Sequence, residues 1–152
     1  MKELSVWKTL VKEARDIASK ERILSKVLTE FILERENLAD ALGWRLAARL
    51  VKSSVPESDI RDLIKQAFES DHEILSSVEY DLIAVTERDP ACNDYISPFL
   101  YFKGFQALSC YRVSHSLWKN NRKDLALYLQ SLIAVVYSVD IHPAAKIGNG
   151  IL

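Results

Sequence analysis

From Leu4 to Val136 apolar side chains return every three or four residues, and little interrupts them. Only four glycines and four prolines occur in 152 residues. That period belongs to α-helices packed along one face, and it restricts the chain to helix after helix. Leu4, Trp7, Leu10, Val11, Ala14, Ile17 and Ala18 form one stripe. Ile23, Leu24, Val27, Leu28, Phe31 and Ile32 form a second, and Leu38, Ala41, Leu42, Leu46 and Leu50 a third. Ile60, Leu63, Ile64, Ala67 and Phe68 follow, and then Ile74, Leu75, Val78, Leu82 and Val85.

Helix starts are expected where short polar residues precede these stripes. Asn37 stands where it would cap the third helix. Ser54-Val55-Pro56-Glu57 has the spacing of a capping box, and Ser70 with Glu73 repeats it. Asp89-Pro90 and Ser97-Pro98 each read as a cap followed by proline at the first helical position. Ser97 would open a helix rich in aromatics (Phe99, Tyr101, Phe102, Phe105 and Tyr111), with a bend at Gly104. Asn120-Asn121-Arg122-Lys123 reads as a turn before a last helix from about Asp124 to Tyr137. That helix is apolar on most faces, so it has to be buried in a core or between subunits. A subunit interface is the expectation, because one small bundle has little room to enclose it.

After residue 138 the pattern changes. Ile141-His142-Pro143-Ala144-Ala145-Lys146 is followed by Ile147-Gly148-Asn149-Gly150-Ile151-Leu152. An aliphatic residue leads each unit of six, and His142 is biased to extended geometry by Pro143. This is the spacing of a hexapeptide β-helix. The organisation expected is a helical domain over 1–138 and the start of a truncated hexapeptide-repeat β-helix over 139–152. Two hexads do not complete a coil and cannot bury their own interior, so further residues past Leu152 are expected.

The totals exclude several classes. Twenty Lys and Arg against 21 Asp and Glu leave a formal net charge of −1, which offers no field for capturing nucleic acid or an anionic membrane. The basic residues of the first stripe, Lys8, Lys12, Arg15, Lys20 and Arg22, alternate with Glu13, Asp16 and Glu21 as on a solvated helical face. The longest apolar run, Leu125 to Val139, is shorter than the roughly 20 residues a membrane helix needs. The first residues, Met1-Lys2-Glu3-Leu4, open no apolar segment of the kind a secretory signal requires. A cytoplasmic location follows, and there Cys92 and Cys110 are expected to be free thiols.

Few residues carry chemistry by type alone. Asp89 reads as a cap and Asp140 as a turn residue. His142 lies two residues from Asp140, on the same side of an extended segment. His115 beside Trp118 reads as a packed residue, and His72 as solvated. No histidine near Cys92 would lower its pKa, so a small buried thiol is expected rather than a nucleophile. Gly148-Asn149-Gly150 precedes no helix and so makes no phosphate cradle. No spacing suggests a metal site, and none is expected.

Several stretches resemble one family in collinear order. Thr86-Glu87-Arg88-Asp89-Pro90-Ala91 is similar to the Arg-Asp-Pro-Ala motif of bacterial serine O-acetyltransferases. Leu100-Tyr101-Phe102-Lys103-Gly104-Phe105-Gln106-Ala107-Leu108 resembles the family's Tyr-x-Lys-Gly-Phe-x-Ala block, continued by Tyr111-Arg112-Val113-Ser114-His115-Ser116-Leu117-Trp118. Val139-Asp140-Ile141-His142-Pro143-Ala144-Ala145-Lys146-Ile147-Gly148 is similar to the start of the family's left-handed β-helix, and Glu36-Asn37-Leu38 with Ala41-Leu42 fits as well.

The resemblance implies an all-α N-terminal domain, with the beginning of a left-handed parallel β-helix at its C-terminal end. It implies transfer of acetyl from the co-substrate acetyl-CoA to the hydroxyl of L-serine, the first step toward cysteine, with no permanently bound cofactor. A histidine early in the β-helix would be the general base. Asp140 would orient that base, as in a hydrolase triad, and the base itself and most of the CoA site would lie beyond Leu152. Asp89 would help hold L-serine or the feedback inhibitor L-cysteine. His142 has no such role in the family. The family assembles as a dimer of trimers, and it binds O-acetylserine sulfhydrylase through a C-terminal tail that these residues do not contain. This segment alone is then expected to be inactive. The alternative is a helical oligomerisation module that works as a scaffold.

Overall fold

The computed structural model describes residues 5–51 and 54–152. Leu4, at the head of the first stripe, and Met1-Lys2-Glu3 lie outside the described residues. The described chain is helical and contains no strand. No helix in it is long and apolar enough to cross a membrane.

Helix α1 (Val6–Lys20) buries Val6, Leu10 and Ala14. Helix α2 (Ser25–Leu28) runs into a π-helical turn (Thr29–Leu33) that turns Phe31 and Ile32 into the core. Ile23, expected in that stripe, is instead 90% exposed in the connection from α1. Helix α3 (Leu38–Leu50) starts where expected, with Asn37 Oδ1 accepting the N–H of Asp40 at 2.9 Å. Asp40 in turn accepts the N–H of Glu36 at 3.0 Å, one residue before the N-cap, a variant of the capping-box exchange.

The other starts differ from expectation. Helix α4 (Glu57–Ser70) has Pro56 at its N-cap and no side-chain cap, so Ser54 does not serve. Helix α5 (His72–Arg88) is capped by Asp71, not Ser70: its Oδ1 accepts from Glu73 and Ile74, while Ser70 Oγ donates back to Ala67. A carboxylate one residue closer is the stronger acceptor for the orphan N–H groups. Asp89-Pro90 opens no helix, because Asp89 closes α5 and folds into a turn. Helix α6 (Ile96–Tyr101) begins before Ser97, whose N–H is taken by Asp94 Oδ1 at 2.7 Å. Pro98, in its first turn, costs no hydrogen bond. The break between α6 and α7 (Lys103–Lys119) falls at Phe102, in extended conformation, and not at Gly104.

Helix α7 is the axis of the fold. It buries Phe105, Ala107, Cys110, Tyr111, Val113 and Leu117, and polar side chains between them. Ser109 and Ser114 donate to carbonyls of their own helix, and Gln106 donates to Phe99 O at 3.0 Å while its own carbonyl oxygen stays buried without a partner. Hydroxyls paired in this way are tolerated in a helix interior. After a turn in which Asn121 takes positive φ, helix α8 (Lys123–Tyr137) packs back on α7. Its inner face is buried, but Leu127 and Val135 are 42% and 69% exposed. The helix expected to be buried all round is therefore covered on one side only by this chain.

Candidate active-site segment

Ser138, in left-handed conformation, ends α8, and the chain continues without helix to Leu152, through a turn at Pro143-Ala144 and a bend at Asn149-Gly150. Irregular backbone of this kind leaves most of its polar groups without regular partners, and buried ones must find them elsewhere. Here helices α5 and α7 supply them. His115 Nδ1 lies 2.7 Å from Pro143 O, and the Tyr111 hydroxyl donates to Ala145 O. Arg112 Nη2 donates to Gly148 O at 2.9 Å, and Arg88 Nη1 to Gly150 O at 2.7 Å. Asp81 Oδ1 accepts the N–H of Ile151 at 3.0 Å, and Ser77 Oγ reaches Asn149 Oδ1 at 2.6 Å.

Arg112 and Asp81 also hold each other. Nε donates to Oδ2 at 2.8 Å and Nη2 to Oδ1 at 2.9 Å, with side chains only 4% and 1% exposed. Burial pushes the Asp81 carboxyl above its ordinary value, and the Ile151 N–H and the guanidinium pull against it. Ile141 and Ile147, the leaders of the two hexads, line one apolar cleft with Val85, Phe105 and Leu108. Residues six apart thus present the same face to the helices.

Asp140 sits at the head of this segment, exposed, with Gln130 Nε2 of α8 donating to its Oδ1 at 2.8 Å. Asp89 is half-buried at the end of α5, and its Oδ1 accepts the N–H of Ala91 at 2.9 Å. The two carboxylates have separate partners. His142 does not use its position near Asp140: its ring meets Trp118 edge-on at 4.9 Å, and its Nδ1 accepts the N–H of Ala144. His115 stacks on Tyr111 at 5.6 Å, and His72 is exposed. Cys92 is buried and donates to Asp94 O at 3.3 Å, and its pKa is raised by that burial. Gly148-Asn149-Gly150 is occupied as a docking strip along α5 rather than open as a phosphate loop.

Sequence reasoning missed Asp81, Arg112, Arg88 and Tyr111 as the residues that place the segment. One signal was available: Asp81 lies between Val78, Leu82 and Val85 on the apolar face of its helix, where a charge has to have a partner.

A family model for the N-terminal part of serine acetyltransferase matches residues 6–110. The chain belongs to the serine acetyltransferase family. Serine acetyltransferase of Haemophilus influenzae is 44% identical over 149 residues, which is 98% of this chain and 56% of that protein. The chain thus spans little more than half the length of the curated relatives it matches. Among solved structures, a serine acetyltransferase in complex with CoA superposes with a TM-score of 0.93 at 44% identity, covering 97% of this chain and 62% of that one. A complex with cysteine gives 0.92 at 44%, covering 97% and 61%. Soybean serine acetyltransferase complexed with serine also gives 0.92 at 44%, covering 97% and 60%.

Proposed function

We propose that this chain is the helical part of a serine O-acetyltransferase, with residues 139–152 the start of its left-handed β-helix. The observation that carries the reading is collinear identity of 44% across 98% of the chain with a serine acetyltransferase. Ile141 and Ile147 in one cleft support the β-helix start, since hexad leaders share an inward face.

In this reading the serine Oγ attacks the thioester carbonyl of acetyl-CoA while a histidine outside residues 1–152 takes its proton. The tetrahedral intermediate collapses, the C–S bond breaks, and CoA leaves as thiolate and is protonated. The products are O-acetylserine and CoA. Asp140 orients the histidine and stabilises the imidazolium it becomes. Its exposed carboxylate, which accepts from Gln130, is accessible to such a partner. Asp89 contributes a negative charge for the ammonium group of L-serine, or of L-cysteine acting as inhibitor. The relatives solved with CoA, cysteine and serine support these ligands.

The protein works as an oligomer in this reading. The support is α8, whose Leu127 and Val135 stay exposed, and whose Leu125 and Tyr128 line an apolar groove with Val55, Ile60 and Leu63. Buried free thiols at Cys92 and Cys110 fit a reducing compartment such as the cytoplasm.

The test is serine-dependent release of CoA thiol from acetyl-CoA. The full acetyltransferase carrying this chain should release it, and residues 1–152 alone should not. Serine-dependent release by residues 1–152 alone would show that the base lies within them and overturn the assignment of roles.

A further inference from the structure

The buried Asp81–Arg112 pair does more than neutralise itself. A bidentate pair consumes two donor–acceptor contacts, at 2.8 and 2.9 Å. Nη2 keeps a second hydrogen and Oδ1 a second lone pair, both on the side that faces the segment. The hydrogen goes to Gly148 O at 2.9 Å and the lone pair to Ile151 N–H at 3.0 Å. The pair thus presents an acceptor and a donor to the backbone of the bend at 148–151, holding the carbonyl of Gly148 and the N–H of Ile151. A buried ion pair by itself contributes little net stability, so its value has to be sought in what it orients.

We propose that Asp81 and Arg112 are positioning residues for acetyl transfer, fixing residues 148–151 against α5 and α7 so that the segment headed by Asp140 is held in its working place. The inference rests on the acetyltransferase reading above. The segment is anchored along its length: at Pro143 and Ala145 by His115 and Tyr111, at Gly148 and Ile151 by the buried ion pair, and at Asn149 and Gly150 by Ser77 and Arg88. Without the ion pair, residues 148–151 keep only the contacts of Ser77 and of the exposed Arg88 side chain, and the segment headed by Asp140 is held less firmly. Substrate need not touch either residue.

The experiment uses three variants of the full acetyltransferase carrying this chain. Asp81→Leu with Arg112→Met replaces the pair by apolar groups of similar volume, which preserves or raises stability in buried pairs. The expected result is a retained melting temperature, an Ile151 amide that exchanges with solvent at least about tenfold faster, and kcat lower by about 10- to 100-fold with little change in KM for either substrate. Arg112→Lys keeps the charge but not the fork that spans Asp81 and Gly148, so it should not rescue kcat. A merely structural ion pair would be served by lysine. Should the apolar double variant fail to fold, Asp81→Ala with Arg112→Gln, which removes the acceptor for Ile151 and the fork to Gly148 without leaving a buried charge, carries the same expectation for exchange and kcat.

Wild-type kcat in a folded variant whose Ile151 amide has been freed overturns the inference and leaves the acetyltransferase reading standing. No serine-dependent CoA release from the wild-type enzyme overturns that reading instead.

Discussion

Glu13, on the first helix, accepts the backbone N–H of Tyr95 at 2.9 Å through the same carboxylate oxygen that takes the N–H of Ile96 at 3.2 Å. It thereby pins α1 to the start of α6, more than eighty residues away in sequence. The face that reads as fully solvated in sequence therefore has one inward member. Glu13→Ala leaves two backbone donors without an acceptor and should cost about 1–3 kcal/mol in denaturant unfolding.

The same carboxylate makes a prediction about pH. Burial is the largest influence on Glu13 and raises its pKa above the ordinary 4.5, against the pull of the two N–H groups. With the folded value above the unfolded one, the native state holds more protons in the window between them. Stability contributed there is present at low pH and is lost as pH rises through the raised value. Glu13→Gln retains an acceptor and cannot titrate. Its stability relative to wild type should therefore improve as pH rises out of the acid range, measured by urea unfolding at several pH values. A constant difference between the two proteins across that range would refute the assignment.

Neither thiol should behave as a reactive group. Cys110 is fully enclosed, and burial pushes its pKa up to about 12. Burial raises that of Cys92 as well. A raised pKa shrinks the thiolate fraction, which for Cys110 at pH 8 is about one part in ten thousand, and the thiolate is the species that reacts. A colorimetric thiol reagent at pH 8 should titrate neither cysteine in the native protein and both in denaturant. Rapid reaction of one equivalent before denaturation would contradict the burial.

The helices were legible because their stripes are long and their period is unambiguous. Their ends were less so, for a specific reason. Where two polar residues adjoin, as Ser70 and Asp71 do, spacing favours one and acceptor strength the other, and Asp71 wins. Pro98 marked α6 correctly, but its start is set by Asp94, three residues before Ser97. The two candidate carboxylates, Asp89 and Asp140, came from a family resemblance rather than from their own spacing. The clamp on the extended segment was hidden for a different reason: Asp81 and Arg112 are 31 residues apart and meet only because α5 packs on α7. Charged residues on apolar faces announce that a partner exists without saying which.

Asp140 should matter to rate rather than to folding. It is exposed and its recorded partner is the amide of Gln130, so Asp140→Asn should leave the melting temperature unchanged. In the full acetyltransferase carrying this chain it should lower kcat by about 10²- to 10⁴-fold, the range for losing an acid–base element. Asp89→Asn should act chiefly on the KM for serine, because it removes a charge that meets the substrate in the ground state. Steady-state kinetics with each substrate varied separates the two. Equal effects of both variants on kcat and KM would sink the division of roles.

The tightest helix–helix contact predicts its own most damaging substitution. A Cβ added at Gly43 of α3 would stand 3.1 Å from the carbonyl oxygen of Arg61 and 3.4 Å from the Cβ of Lys65, both on α4. The first of these is backbone, so relief requires moving α4 as a whole. Arg61 also lays its guanidinium 3.6 Å from the ring centre of Trp44, with Arg35 on the same indole at 4.0 Å, and displacing α4 would open that stack. Gly43→Ala gains about 1 kcal/mol of helix propensity and sets it against the close approach, so its net effect should be small. Gly43→Val adds two more methyl groups at the same place without that propensity gain, and should cost about 1–3 kcal/mol through overpacking. Chemical denaturation of the two variants beside wild type checks the order. A valine variant as stable as wild type would mean that α3 and α4 lie farther apart than the 3.1 Å approach implies.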